Sequence, residues 1–250
     1  MKPPLFEYHV PATVKEASTL LSSLEDAKVL AGGQSLVPLL NFRLARPAHL
    51  IDINRIQGLD RIYERDGGVA MQALARQADV EDSDVVARVC PLLGAAVRLV
   101  AHRVIRNRGT VCGSLAHADP ASELPSVMLA LGGHVIARST RGDRVIEGER
   151  LFDGVMQTAL AADELMVEAW FPASAAPFAI AEESRRHGDF AIAGAVRAGA
   201  RLALFGVAAT PVLADPRVGS RGLRPSGDLE ATSAFRLHLV QVLTRKVFAA

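Results

Sequence analysis

The stretch KVLAGGQSLVPLL, residues 28–40, is the strongest single constraint on the fold. A short apolar run enters Gly32 and Gly33, and VPLLNFRL, with the character of a short helical turn, follows. The pattern predicts a buried strand, a tight turn and a helix. A second small-residue segment, Gly109-Thr110-Val111-Cys112-Gly113-Ser114, follows about 75 residues later. Small residues let a ligand approach the main chain. Consecutive backbone N–H groups in such turns form a concave anion site, and Ser and Thr hydroxyls add donors without adding charge. Each segment alone reads first as a turn. Neither is a P-loop, and neither matches the dinucleotide fingerprint GxGxxG. Together they could hold a pyrophosphate with few cationic side chains.

The rest of the chain predicts an α+β protein. PATVKEASTLLSSLED reads as a helix capped by Thr13, with Glu16 completing a capping box. HLIDIN is a strand, and LDRIYERDGGVAMQAL is a hairpin turning at Asp66-Gly67-Gly68. Residues 79–105 read as helical, broken into two pieces by Pro91. Residues 106–124 read as a loop, PSVMLALGG as a helix ended by Gly132, and HVIARSTRGDRVIEG as a second hairpin. LMVEAWFP, FAIAEESRR and two strands within residues 189–209 follow, then an exposed loop over 211–228 and a closing amphipathic helix. The plausible subdivisions are 1–55, 56–172 and 173–250.

Composition removes several functions. There are 28 basic and 27 acidic residues, a net charge of +1, so nothing favours nucleic acid or an anionic membrane. Aromatics make up 5% of the chain, too few for base-stacking platforms. Cys90 and Cys112 fit neither a zinc nor an iron–sulfur ligand set, and they outline no disulfide framework. A reducing cytoplasm is the expected location. No signal peptide is expected from MKPPLFEYHVP, and no membrane span from the hydropathy.

No triad, nucleophile elbow or acid/base carboxylate pair is evident. His117 and Asp119 could be a metal pair, but without a further ligand cluster they read as a loop histidine and a turn aspartate. Glu123 stands near a helix start, where it would complement the dipole or accept a hydrogen bond from a cofactor. Arg103, Arg106 and Arg108 could lie near phosphates or form a solvated helix end, and Arg185, Arg186 and His187 carry the same two readings. His9, His49, His134 and His238 are scattered and read as structural. With no catalytic acid, base or nucleophile, the residues suggest a protein whose bound cofactor carries the chemistry.

Taken together, VLAGGQSLVPLLNFRLARPAHLIDINRI, IRNRGTVCGSLAHADPASELPSVMLALGG and SRRHGDFAIAGAV resemble the FAD-binding medium subunit of the molybdenum hydroxylases, the xanthine, carbon monoxide and nicotine dehydrogenase family. The resemblance runs from about residue 4 to the C-terminus and is close through about residue 195. It implies two N-terminal α/β subdomains of the vanillyl-alcohol-oxidase-like FAD-binding type (1–55 and 56–172) and a C-terminal α+β domain (173–250). It places non-covalent FAD on this chain, with its pyrophosphate between Ala31, Gly32, Gly33, Gln34, Ser35 and Leu36 on one side and Thr110, Val111, Cys112, Gly113 and Ser114 on the other. It adds His117, Glu123 and Leu165 as cofactor contacts. The implied partners are a small subunit with two [2Fe–2S] clusters and a large subunit with molybdenum cytosine dinucleotide, as a dimer of heterotrimers, and an external electron acceptor. The implied role is electron transfer through FAD.

The sequence departs from that pattern at three places. Cys112 stands where many relatives have glycine, which reads as a tolerated small residue or as a redox-sensitive site. No lysine occurs around Ala181. The turn at Arg197-Ala198-Gly199 is short, and GVAATPVLADP leads almost directly to the last helix, so the C-terminal domain reads as shortened. Two other functions stay open at this point: a scaffold subunit that has lost flavin, and a stand-alone flavin oxidase.

Overall fold

The structure is a computed structural model describing residues 1–174 and 177–249. The chain opens with β1 (Glu7–His9), α1 (Val14–Ser23), β2 (Ala27–Leu30), α2 (Leu36–Asn41) and β3 (His49–Asp52). The three strands form a parallel sheet in the order β1-β3-β2. Thr13 caps α1 by accepting from Glu16 N–H at 3.1 Å, and the Glu16 carboxylate reaches back to Ala12 N–H at 2.8 Å. Ala17 and Leu21 turn inward onto Ile51 and Ile53. The pattern gave no sign of β1. Its residues, Glu7-Tyr8-His9, are polar and largely exposed, and backbone pairing to β3 is what makes them a strand.

The middle of the chain builds a five-stranded antiparallel sheet from β4 (Ile62–Arg65), β5 (Gly68–Gln72), then β6 (His134–Ser139), β7 (Gly142–Glu147) and β10 (Leu165–Pro172), in the order β4-β5-β10-β6-β7. A two-stranded ribbon, β8 (Phe152–Gly154) and β9 (Gln157–Thr158), precedes β10. The expected β4–β5 hairpin turns on Asp66 (φ 50°) and Gly67 (φ 70°), both left-handed as a two-residue primed turn requires.

Between β5 and β6 the chain is more finely divided than its pattern predicts. The single Pro91 break becomes three, separating α3 (Gln77–Glu81), α4 (Asp84–Val89), α5 (Pro91–Val97) and α6 (Arg103–Arg106). Ser83 caps α4, Pro91 starts α5, and Ala101 adopts a left-handed φ of 44° ahead of α6. The segment expected as one loop over 106–124 contains α7 (Val111–His117), because the Thr110 hydroxyl accepts from Gly113 N–H at 3.0 Å and caps it. Helix α8 (Glu123–Leu131) follows and ends at a left-handed Gly132, as expected.

The C-terminal part is a second antiparallel sheet, β11 (Phe178–Glu183), β12 (Ala193–Ala198), β13 (Arg201–Phe205) and β14 (Val212–Ala214), in chain order, with α9 (Ser233–Ala249) packed on one face. Strand β14 lies where an exposed loop was expected; Val212, Leu213 and Ala214 pair with β13. Residues 215–232 hold only turns and irregular backbone before α9 begins. Eight of the nine residues of α8 are buried. A helix buried all round must be covered on every side, and α8 shares one core with the β5-β10-β6 sheet, α5, α7 and the inner face of β12 and β13. That core fixes the helical layer and both antiparallel sheets to each other.

Candidate functional site

Strands β2 and β3 run parallel, so their C-terminal ends open on the same edge. In parallel α/β sheets ligands collect at that edge. Here it carries the 31–35 turn after β2 and Asn54 after β3. A cavity of about 370 Å³ lies there, lined by Leu30, Ala31, Gly32, Gly33, Gln34, Val37, Pro38, Asp52, Asn54, Ile105 and Arg108.

The turn is shaped for close approach. Gly33 has φ +73°, a conformation side chains disfavour. Gly32 is pressed against the second segment: a Cβ there would lie 2.9 Å from both the Arg108 carbonyl carbon and Gly109 Cα, and closer still to the Arg108 carbonyl oxygen. The two glycine segments, far apart in sequence, therefore touch through their backbones. Among the described residues, the N–H groups of Gly32, Gly33, Gln34 and Ser35 donate to no protein acceptor. Four successive free donors beside Arg108 form an anion-binding cradle. Gln34 closes the turn, its side-chain amide donating to Gly32 carbonyl at 3.1 Å.

A polar chain fastens the two segments. Asn54 donates from its side chain to the Ala31 carbonyl at 2.8 Å and to Asp52 Oδ1 at 2.5 Å. Arg76 donates to Asn54 Oδ1 and to the Arg108 carbonyl, both at 2.6 Å. Burial, then the neighbouring Arg108 charge, hold the Arg76 guanidinium below the usual arginine range. Burial opposes the charge on Asp52, yet the Tyr8 hydroxyl, Asn54 and Arg108 together keep its carboxyl below the usual carboxylate range. Gln77 N–H donates to the Gly109 carbonyl at 2.8 Å, which ties α3 to the same junction.

Asn54, Arg76 and Asp52 were not singled out from the sequence. Asn54 ends a quoted strand segment, and no spacing rule marks Arg76. The arginine cluster divides. Arg103 and Arg106 are engaged by Glu81 at 3.0 and 2.9 Å, and Arg108 alone of the three lines the cavity. Arg185 and Arg186 form ion pairs with Glu230 and Asp189 at 2.7 and 3.1 Å.

The remaining expected contacts spread out from the cavity. Ser35 and Leu36 open α2. Val111 and the Cys112 side chain are buried in the core, with the Cys112 thiol 3.7 Å from the Met71 carbonyl and 3% of the residue exposed. Burial raises its thiol well above the ordinary range. A redox-sensitive Cys112 is therefore not what this packing offers; the side chain fills core space. A Cβ on Gly113 would come within 2.6 Å of Thr110 Oγ1, so glycine there preserves the cap. Ser114 and His117 lie on α7, and the His117 ring is 4.0 Å from the Asp119 carboxylate, with no third ligand grouped there among the described residues. Leu165 starts β10 inside the core shared with Ala17 and Ile51, and does not line the cavity.

Glu123 occupies a different setting. It is buried at the start of α8, and burial, with the Glu182 and Asp119 charges adding to it, pushes its carboxyl up to about 8. Burial likewise pushes Glu182 on β11 up to about 7. Among the described residues Glu182 Oε2 has no hydrogen-bond partner. Two carboxyl groups with raised pKa thus lie within electrostatic reach of one another, one on α8 and one on β11.

Comparisons with known proteins identify the family and the fold. Residues 4–174 match the family described as the FAD binding domain in molybdopterin dehydrogenase. The 6-hydroxypseudooxynicotine dehydrogenase complex subunit alpha of Paenarthrobacter nicotinovorans is 48% identical over 200 residues, covering 78% of this chain and 67% of that one. The nicotine 6-hydroxylase medium subunit of the same organism is 44% identical over 193 residues, covering 77% and 68%. A solved structure of carbon monoxide dehydrogenase from Hydrogenophaga pseudoflava, lacking the Mo-pyranopterin moiety of its molybdenum cofactor, superposes with a TM-score of 0.95 at 34% identity, covering 100% of this chain and 98% of that one. The chain belongs to the FAD-binding family of the molybdopterin dehydrogenases, medium subunits of an oxidoreductase class.

Proposed function

We propose that this chain is the FAD-carrying electron-transfer subunit of a heterotrimeric molybdenum hydroxylase. The observation that carries the proposal is the junction of the two glycine segments, where Gly32 rests on the Arg108–Gly109 backbone beside four unpaired N–H groups. That arrangement fits a pyrophosphate: neutral main-chain donors supply the hydrogen bonds and Arg108 supplies one positive charge. When bound, FAD supplies a centre that takes up electrons singly and releases them in pairs. The protein positions and shields it. Asn54 and Arg76 hold the two segments at a fixed separation. Burial pushes the Glu123 and Glu182 carboxyls up to about 8 and about 7, so a protonated carboxyl is available between α8 and β11 as an O–H donor. Residues 1–55 and 56–172 would supply the FAD-binding subdomains, with 173–250 closing over one side.

In this proposal a large subunit with molybdenum cytosine dinucleotide hydroxylates the substrate and thereby selects it. A small subunit with two [2Fe–2S] clusters relays electrons to this chain, and an external acceptor receives them. The complex is a cytoplasmic dimer of heterotrimers. Among the described residues no helix is long and apolar enough to cross a membrane. The test is the visible spectrum of the purified complex together with the flavin released on heating. One FAD per copy of this chain is expected. An intact complex that releases none refutes the proposal and favours a scaffold role.

A further inference from the structure

The histidines that looked scattered in sequence are not all scattered in space. Strands β1 and β3 pair in parallel with Glu7 opposite His49, and His9 lies two residues beyond Glu7 on the same strand face. His9 Nε2 and His49 Nδ1 are 3.1 Å apart. The Glu7 carboxylate oxygen is 3.5 Å from His49 Nδ1 and 3.9 Å from His9 Nε2. Three potential ligand atoms thus form a compact triangle.

The size of that triangle is informative. Zinc bonds of about 2.0–2.1 Å to nitrogen and oxygen place tetrahedral ligands roughly 3.3–3.4 Å apart. Sides of 3.1, 3.5 and 3.9 Å enclose a point about 2 Å from all three atoms. A small contraction of the Glu7 side chain would lift an ion out of the plane and open a fourth position. Glu7 is exposed, its side chain at 74%, so water can fill that position, while the two rings are held at 23% and 18%. A hydrogen bond between the rings uses one lone pair and leaves the carboxylate at the edge of reach; a shared cation engages all three groups. Two imidazoles and one carboxylate favour zinc-like borderline ions over magnesium or calcium.

We propose that Glu7, His9 and His49 form a binding site for one divalent ion of the zinc type. The proposal is independent of the flavin reading. Glu7 and His49 begin their strands, whereas the cavity lies at the opposite, C-terminal ends of β2 and β3. The ion would cross-link β1, an edge strand of three residues, to the central strand β3. Tyr8, between the two β1 ligands, donates its hydroxyl to Asp52, which lines the cavity. The site would therefore stiffen a strand that supports the flavin pocket without touching it.

The test uses the purified complex without a polyhistidine tag, stripped with chelator and titrated with zinc chloride by calorimetry. The wild type is expected to bind one more zinc per copy of this chain, with micromolar affinity, than the double variant His9→Gln/His49→Asn. Glu7→Gln removes an exposed charge and should fold normally; it is expected to weaken that binding by about tenfold or more. Magnesium at the same concentration should not compete. Flavin content and circular dichroism confirm that each variant is folded. Equal zinc stoichiometry and affinity in the wild type and in folded variants overturns the proposal and leaves a histidine–histidine hydrogen bond.

Discussion

Replacing Gly32 with alanine probes the junction with the smallest possible change. The added Cβ would stand 2.9 Å from the Arg108 carbonyl carbon and from Gly109 Cα, all backbone atoms that cannot rotate away. Carbon atoms settle at about 3.5 Å or more, so the two segments must part by about 0.6 Å or more. Overpacking of this kind costs about 1–3 kcal/mol. If the loss falls on the cradle, FAD affinity drops by about 5- to 150-fold. The assay is flavin per protein after extensive dialysis, followed by rebinding of added FAD monitored by fluorescence. Gly58→Ala is the control. Gly58 has a positive φ, 77°, which Gly32 does not, but no atom lies within 4 Å of the position its Cβ would take. That variant carries a backbone strain cost without any steric overlap and should keep its FAD. Wild-type FAD affinity in a folded Gly32→Ala variant would falsify the idea that the two segments must stay in contact.

Three further outcomes follow from the same packing. Arg76→Met removes the donors to Asn54 and to the Arg108 carbonyl; hydrogen bonds from a charged group are worth about 1.5–3 kcal/mol, and both thermal stability and FAD retention should fall. Glu123 titrates at about 8 when folded, against roughly 4.3 in an unfolded chain. Between those values the unfolded chain holds fewer protons, so stability falls as pH rises, by up to about 1.4 kcal/mol per unit from this group. Melting temperatures of wild type and Glu123→Gln from pH 5 to 8 should diverge, with the wild type declining more steeply; parallel curves contradict the burial argument. Cys90 and Cys112 are both buried, and burial pushes the Cys90 thiol up to about 11. Neither should react with iodoacetamide in the native protein, and both should after denaturation; labelling followed by mass spectrometry decides it.

What the sequence could show depended on the range of the interactions involved. Local chemistry was legible. Thr13 and Glu16 announce α1, Asp66-Gly67 announces a hairpin, and Gly132 ends α8, because each acts within a few residues of itself. The two glycine segments were legible as candidates for the same reason. Strand β1 was not, since its polar residues gain their structure from β3, some 40 residues away. The breaks around α4 and α6 were missed because helical periodicity persists across them while the core packs each short piece separately.

The sequence by itself determined the α+β class, the family, and the two places where backbone could meet a pyrophosphate. Tertiary structure decided that those places touch, that Asn54 and Arg76 lock them together, and that Cys112 turns into the core. It also assembled Glu7, His9 and His49 from two strands that the sequence keeps far apart. The division has one physical cause: turns, caps and glycine conformations are set by neighbours along the chain, while contacts between distant segments exist only once the sheets and the buried α8 have fixed where each segment lies.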